Sequence, residues 1–132
     1  MTAKPLAVLY VDDDKDIREI VTLSLDLDPG IELRTFASGY DALARLEWDA
    51  WTPDVMLLDV MMPGIDGRKL IDELRRMSAL RDVPLVFITA RARESDVAEY
   101  KAKGAADVIV KPFEPFDLAD RLRAAAAKRR AA

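Results

Sequence analysis

Short apolar segments recur along the chain, and five of them have the length and composition of β-strands. The first, Leu6–Val11, is an unbroken apolar run typical of a strand buried on both faces. Three later segments are similar: Val55–Leu58, Pro84–Ile88 and Asp107–Val110. In the remaining segment, Ile31–Phe36, apolar and polar residues alternate, which predicts a strand toward the edge of the sheet.

Between these segments, apolar residues recur at intervals of three and four, the spacing of a helix with one buried face. This pattern predicts helices over Ile17–Leu25, Gly39–Trp48, Arg68–Met77, Glu94–Lys103 and Phe116–Lys128. Pro29 and Gly30 end the first helix, and Gly104 follows the fourth where a left-handed cap is favoured. Trp48 and Trp51 are expected to cover the sheet edge, with an interaction patch as the alternative.

The last predicted helix is amphipathic. Its predicted buried face consists of Leu118, Leu122 and Ala125. Asp117 and Arg121 are one turn apart, which predicts an ion pair on the exposed face. We interpret the end of the chain, Ala124–Ala132, as a frayed, solubilising helix end rather than as an arm that contacts nucleic acid.

Strands and helices therefore alternate along the whole chain. Such alternation predicts an α/β fold in which helices cover both faces of a doubly wound, parallel, five-stranded sheet. No internal repeat or linker interrupts the pattern. We expect a single domain over residues 1–132, with its core at residues 6–128 and a frayed tail at 129–132.

The composition narrows the possible chemistry. The chain contains no cysteine and no histidine, which excludes disulfides, zinc sites built from thiolate or imidazole, and Ser-His-Asp or Cys-His catalysis. Its 20 basic and 24 acidic residues give a net charge of −4, and we expect no nucleic-acid partner. Carboxylates remain as ligands, and they favour hard cations such as Mg²⁺.

Membrane attachment is not expected from the sequence. No apolar run approaches the roughly 18 residues of a membrane span, and the run after Met1–Pro5 is too short for a signal peptide. A cytoplasmic location is the default expectation. The residues after the last helix leave no room for an effector domain, so we expect a stand-alone protein or a piece of a longer chain. We also expect a monomer or a weak dimer.

Polar residues stand at the carboxyl ends of the predicted strands, where ligands bind in open α/β sheets. They are Asp12, Asp13, Asp14, Asp59, Thr89 and Lys111. Neighbouring carboxylates raise one another's pKa unless a cation lies among them, so the set predicts a Mg²⁺ site. An aspartate after a strand also commonly caps the next helix, which is our interpretation of Asp14 and, before the third helix, of Asp66.

Four segments together carry a resemblance to a known family. They are VLYVDDD (Val8–Asp14), VMLLDVMMPGIDG (Val55–Gly67), FITA (Phe87–Ala90) and GAADVIVKPF (Gly104–Phe113). In this order they resemble the CheY-like receiver domain of two-component response regulators, from about residue 6 to 128. The resemblance implies a flavodoxin-like three-layer sandwich with strand order 2-1-3-4-5.

The resemblance implies that Asp59 accepts a phosphoryl group. Asp13 and Asp59 would bind Mg²⁺ through their carboxylates, Met61 through its backbone carbonyl, and Asp12 largely through a metal-bound water. The donor would be a phosphohistidine on a histidine kinase or histidine phosphotransfer protein. Because this chain has no histidine, the donor must be a separate molecule.

Further roles follow from the same resemblance. Lys111 would pair with one phosphoryl oxygen and Thr89 would hydrogen-bond another, and the Lys111–Pro112 peptide bond would be cis. Phosphorylation would pull Thr89 inward and shift the fourth and fifth helices. At the switch position Val108 stands where most family members have an aromatic residue, so we expect only a small backbone response there. The first helix and the loop after Lys111 would dock the donor.

Two alternatives differ in kind from a phosphoacceptor. The first is a pseudo-receiver, a protein-binding module that has the fold but is not phosphorylated. The second is a hydrolase of the haloacid-dehalogenase type, in which a second aspartate follows two residues after the nucleophile; here Met61 holds that place. Gly-rich loops typical of nucleotide enzymes are absent from the sequence.

Overall fold

A computed structural model describes residues 4–129 of the chain. Its strands are β1 (Leu6–Val11), β2 (Ile31–Phe36), β3 (Val55–Asp59), β4 (Leu85–Thr89) and β5 (Ala105–Val110). They form one parallel sheet in the order β2-β1-β3-β4-β5. β3 and β4 are buried along their whole length, whereas β2 is only partly buried, as its alternating sequence predicts.

Helices cover both faces of this sheet. They are α1 (Lys15–Asp26), α2 (Gly39–Trp48), α3 (Gly67–Leu74), α4 (Glu94–Ala102) and α5 (Leu118–Ala126). α1 and α5 pack on one face of the sheet, and α2, α3 and α4 pack on the other. The doubly wound, flavodoxin-like fold and its strand order are confirmed. No helix within residues 4–129 is both long enough and apolar enough to cross a membrane.

The end of α3 differs from the prediction. The helix stops at Leu74 rather than at Met77, and a 3-10 turn follows at Ser78–Leu80. Leaving the helix lets Leu80 reach the core, where it is 2% exposed. The guanidinium of Arg75 stabilises this path because it donates hydrogen bonds to the backbone carbonyls of Leu80, Arg81 and Val83.

The end of α4 follows the prediction, since Gly104 has a φ of +92°. In α5 the predicted apolar face is buried, but the predicted ion pair is wrong. Arg121 forms a bidentate pair with Asp107 of β5, with N–O distances of 2.9 and 2.8 Å, instead of pairing with Asp117. A planar fork that meets both oxygens of a carboxylate is favoured over a flexible exposed pair on one helix.

The two tryptophans behave differently. Trp51 covers the sheet edge as predicted: its ring lies 4.5 Å from the guanidinium of Arg34, and its indole donates to Glu32. Trp48 does not cover the edge, because it points outward from the last turn of α2 and is 88% exposed. At the other end of the chain, α5 ends at Ala126, and residues 130–132 of the expected tail lie outside the described residues.

Candidate functional site

The carboxyl ends of the strands bring the predicted site residues together. Asp12 follows β1, Asp59 ends β3, Thr89 ends β4 and Lys111 follows β5. β1 and β3 are neighbours, and Val11 pairs with Leu58 in their parallel register. The next residue along each strand is therefore an aspartate, which places Asp12 beside Asp59.

Three carboxylates form a compact acidic cluster at this edge. Asp12, Asp13 and Asp59 each offer an oxygen, and these oxygens all lie within 4.8 Å of one another. Asp12 is fully buried and Asp59 is 3% exposed, whereas Asp13 is exposed to solvent. The cluster is thus open on one side and closed on the other.

Lys111 supplies the positive charge next to the two buried members of the cluster. Its Nζ lies 3.3 Å from Oδ2 of Asp12 and 3.5 Å from Oδ1 of Asp59. The side chain of Lys111 is largely buried. The Lys111–Pro112 peptide bond that follows is cis, as the resemblance implied.

The surroundings of Asp59 raise its pKa from the usual value for an aspartate to about 7. Burial is the largest cause, because it disfavours the charged carboxylate, and the negative charge of Asp12 adds to it. The ammonium of Lys111 and a hydrogen bond from the amide of Met61 lower the pKa and offset part of this effect. A positive charge placed among the carboxylates would relieve the repulsion.

Aspartates near the cluster also organise the backbone. The Asp14 side chain accepts hydrogen bonds from the amides of Asp16 and Ile17 and caps α1, and Asp66 caps α3 in the same way. Both capping predictions are confirmed. Gly67 begins α3 directly against the backbone of Asp59, so closely that a β-carbon at this position would clash with the Asp59 carbonyl. The start of α3 therefore fixes the position of the end of β3.

Thr89 is the last residue of β4 and follows Ile88, the residue that pairs with Asp59 across the sheet. It is fully buried, and its hydroxyl accepts a hydrogen bond of 3.0 Å from the amide of Arg91. Met61, two residues after Asp59, is 51% exposed, and its amide lies 3.4 Å from an oxygen of Asp59. The structure thus places Thr89 and Met61 beside the acidic cluster.

One polar side chain in contact with the cluster was not predicted from the sequence. The hydroxyl of Tyr10 donates a hydrogen bond of 2.7 Å to Oδ2 of Asp12, and the tyrosine is fully buried. Burial raises the pKa of Tyr10, and the nearby charge of Asp12 raises it further. The signal was present in the sequence: residues two apart on a strand share a face, and a buried tyrosine needs a partner for its hydroxyl.

A second tyrosine lies next to Thr89. Val108, at the position where the resemblance leads one to expect an aromatic residue in most members, is partly buried and packs on the face of the sheet that α4 covers. On the same face, the ring of Tyr100 from α4 packs against Phe87, with ring centroids 5.3 Å apart. The Tyr100 hydroxyl donates to the carbonyl of Arg91, at 2.9 Å. Burial raises the pKa of Tyr100, and a hydrogen bond with Thr89 partly opposes this shift.

Comparisons with known proteins agree with this geometry. The family model for the response regulator receiver domain matches residues 8–123. The phosphate regulon transcriptional regulatory protein PhoB of Escherichia coli is 38% identical over 117 residues, which are 89% of this chain and 50% of PhoB. The response regulator SaeR of Staphylococcus aureus is 34% identical over 115 residues, 87% of this chain and 48% of SaeR. The chain spans about half the length of these relatives.

Solved structures lead to the same family. A putative response regulator from Chloroflexus aurantiacus has a TM-score of 0.84 and 35% identity, over 95% of this chain and all of that one. The chemotaxis response regulator CheY4 of Vibrio cholerae has a TM-score of 0.82 and 34% identity, over 92% of this chain and 99% of that one. The sequence match, the fold and the acidic cluster therefore agree, and the chain belongs to the receiver domain family of response regulators.

Proposed function

We propose that this receiver domain accepts a phosphoryl group on Asp59 from a phosphohistidine of a partner protein. The observation that carries the proposal is the position of Asp59, which is nearly buried at the end of β3, beside two further carboxylates and the ammonium of Lys111. Ionisable groups whose pKa is strongly perturbed by burial and by a neighbouring charge cluster at functional sites. Phosphoryl transfer needs this combination of a carboxylate nucleophile and nearby positive charge.

The acidic cluster suits Mg²⁺, which prefers oxygen ligands and is commonly held by one or two carboxylates. Asp13 and Asp59 would bind it through their carboxylates, Met61 through its backbone carbonyl, and Asp12 largely through water. When bound, Mg²⁺ would neutralise negative charge on the transferred group. The raised pKa of Asp59 supports this assignment, because burial and the charge of Asp12 outweigh the ammonium of Lys111, and a bound cation would offset that excess of negative charge.

The side chains of this protein have distinct tasks in the proposed transfer. A carboxylate oxygen of Asp59 forms the new P–O bond, and the P–N bond to the donor imidazole breaks. The bonding electrons stay on the imidazole nitrogen. Lys111 turns from Asp12 and Asp59 toward a phosphoryl oxygen, and the Thr89 hydroxyl donates a hydrogen bond to another. These residues act mainly by position and charge, as expected for phosphoryl transfer.

The partner would be a histidine kinase or a histidine phosphotransfer protein that docks over α1 and the loop after Lys111. Apolar side chains on α1 and after the Lys111 loop are exposed, including Ile20 at 43%, Leu23 at 69% and Phe116 at 80%. Exposed apolar groups of this size suit a protein partner. Consistent with such a role, we propose a cytoplasmic protein that acts as a monomer or weak dimer.

The proposal is tested by intact-mass measurement after incubation with acetyl phosphate, in Mg²⁺ and in EDTA. We expect the mass of one phosphoryl group to be added in Mg²⁺ and little or none in EDTA. Borohydride reduction followed by peptide mapping should locate the modification at Asp59. Absence of any adduct in Mg²⁺ would instead support the alternative, a protein-binding module that is not phosphorylated, and an adduct elsewhere would contradict the acceptor assignment.

The same proposal includes a path from the site to α4. Asp96 and Tyr100 are the buried residues of this helix, and Tyr100 reaches the carbonyl of Arg91, whose amide holds Thr89. Movement of Thr89 toward a phosphoryl group would therefore act on Tyr100 through Arg91. The side chain of Val108 has no polar group, so it cannot form a hydrogen bond to Thr89 and move with it. The aromatic contact in this chain thus comes from α4 rather than from β5.

Amide NMR spectra with and without beryllofluoride and Mg²⁺ test this path. We expect small shifts at Val108 and larger shifts at Arg91 and Tyr100, because the latter two share hydrogen bonds with the region of Thr89. In the variant Tyr100→Phe, the shifts in α4 should shrink while those next to Asp59 remain. A response that is largest at Val108 and insensitive to Tyr100→Phe would show that the path runs elsewhere.

A further inference from the structure

The hydroxyl of Tyr10 has no task in the proposed transfer, yet it contacts the acidic cluster directly. Tyr10 is fully buried in β1, and its ring packs on the face of the sheet that α1 and α5 cover. Its hydroxyl donates to Oδ2 of Asp12, at 2.7 Å. A buried hydroxyl next to a buried carboxylate makes a strong, charge-assisted hydrogen bond when its geometry is this short.

The two oxygens of Asp12 have different partners. Oδ1 accepts a hydrogen bond of 3.0 Å from the amide of Asp14, and Oδ2 is shared between Tyr10 and the ammonium of Lys111, which lies 3.3 Å away. The carbonyl of Asp12 accepts a further bond of 2.8 Å from Arg18. Donors on both carboxylate oxygens resist rotation of the side chain, since a rotation would break bonds on both sides.

In the proposed transfer, Lys111 leaves Asp12 and pairs with the phosphoryl group instead. Once Lys111 turns toward a phosphoryl oxygen, Tyr10 remains as the side-chain donor to Oδ2. We propose that Tyr10 is a positioning residue for the metal site, which keeps the Asp12 carboxylate in place whether or not Lys111 is paired with it. This inference rests on the proposed function, since it assumes that the cluster binds Mg²⁺.

The inference is tested with Tyr10→Phe, which keeps the ring and its packing and removes the hydroxyl alone. Isothermal titration with MgCl₂ measures the Kd of each form at about pH 8, above the Asp59 pKa of about 7. We expect the Kd to rise by about tenfold or more, the typical effect of losing a group that orients a metal ligand. The variant Tyr100→Phe is the matched control, because it also removes a buried hydroxyl but leaves the acidic cluster intact.

Both variants should lose some thermal stability, so only the Kd separates a positioning role from a structural one. A double-mutant cycle adds a second test: in an Asp12→Ala background, which removes the acceptor of the Tyr10 hydroxyl, Tyr10→Phe is expected to leave the Kd unchanged. In the wild type, which does not depend on the folding of any variant, the Tyr10 hydroxyl proton should stay protected from exchange when Mg²⁺ and beryllofluoride are added.

The outcomes separate the two proposals. If the wild type binds no Mg²⁺, the proposed function fails and the role of Tyr10 fails with it. If the wild type binds Mg²⁺ and Tyr10→Phe binds it equally well, or if the hydroxyl proton becomes exposed in the beryllofluoride complex, only the inference about Tyr10 is overturned.

Discussion

Replacing Asp59 by asparagine is expected to stabilise the metal-free protein at about pH 8, by roughly 2–4 kcal/mol in the free energy of unfolding. The reason is that the Asp59 carboxyl must ionise while buried next to Asp12, which raises its pKa to about 7 in the folded state. In the unfolded chain the pKa is near 3.9, about three units lower, and each unit corresponds to about 1.4 kcal/mol. Asparagine carries no charge and so avoids the repulsion.

The sign of the pH dependence follows from linkage. Between the two pKa values the folded state binds more protons than the unfolded state, so the contribution of Asp59 to stability is present below about pH 4 and is lost as the pH rises through about 7. The advantage of Asp59→Asn should therefore fall to about half its pH 8 value at about pH 5.5. Urea unfolding in EDTA at both pH values measures the difference.

Asp26→Asn is a suitable control for this experiment, because Asp26 is exposed at the end of α1. We expect it to change the free energy of unfolding by no more than about 0.5 kcal/mol at either pH. Equal stability of the wild type and Asp59→Asn at about pH 8 would mean that Asp59 carries no buried, repelled charge. The variant also lacks the nucleophilic oxygen, so the substitution that stabilises the fold should abolish phosphorylation.

The positions of the residues behind this conflict between stability and function could be predicted in outline from the sequence. The apolar runs are long enough to define buried strands, and in a parallel sheet the residues after those strands must share one edge. That reasoning places Asp12, Asp59, Thr89 and Lys111 together without knowledge of any side-chain contact. The capping roles of Asp14 and Asp66 are equally local, because each cap depends only on the next few residues.

The features that were missed depend on contacts between distant parts of the chain. Arg121 pairs with Asp107 rather than with Asp117 because α5 packs against β5. The spacing of residues along the helix does not reveal that packing. Tyr100 comes near Thr89 only because α4 packs on the face of the sheet that holds Phe87, which lets its hydroxyl reach the carbonyl of Arg91. Tyr10 was within reach of sequence reasoning, but its hydroxyl acquires a meaning only when the strand and the acidic cluster are considered together.

Removal of the positive charge at Lys111 is expected to have the largest effect on the rate of phosphorylation after the loss of Asp59 itself. In Lys111→Met the apolar stem of the side chain is largely kept and the ammonium is lost. We expect phosphorylation by acetyl phosphate at saturating Mg²⁺ to slow by about 10²- to 10³-fold, the cost of removing one preorganised charge partner from a transition state. The rate of adduct formation, followed by intact mass, measures the effect.

Two consequences of losing Lys111 can be separated by their pH dependence. Lys111 lowers the pKa of Asp59 in the metal-free cluster, so at limiting Mg²⁺ its loss leaves a larger fraction of Asp59 protonated at neutral pH and unable to attack phosphorus. That part of the loss should be recovered as the pH is raised, whereas the loss of charge on the phosphoryl oxygens should not. Lys101→Met, which changes an exposed lysine on α4, should match the wild type. A Lys111→Met rate within a few-fold of the wild type would assign to Lys111 a structural role, that of neutralising Asp12 and Asp59 before transfer.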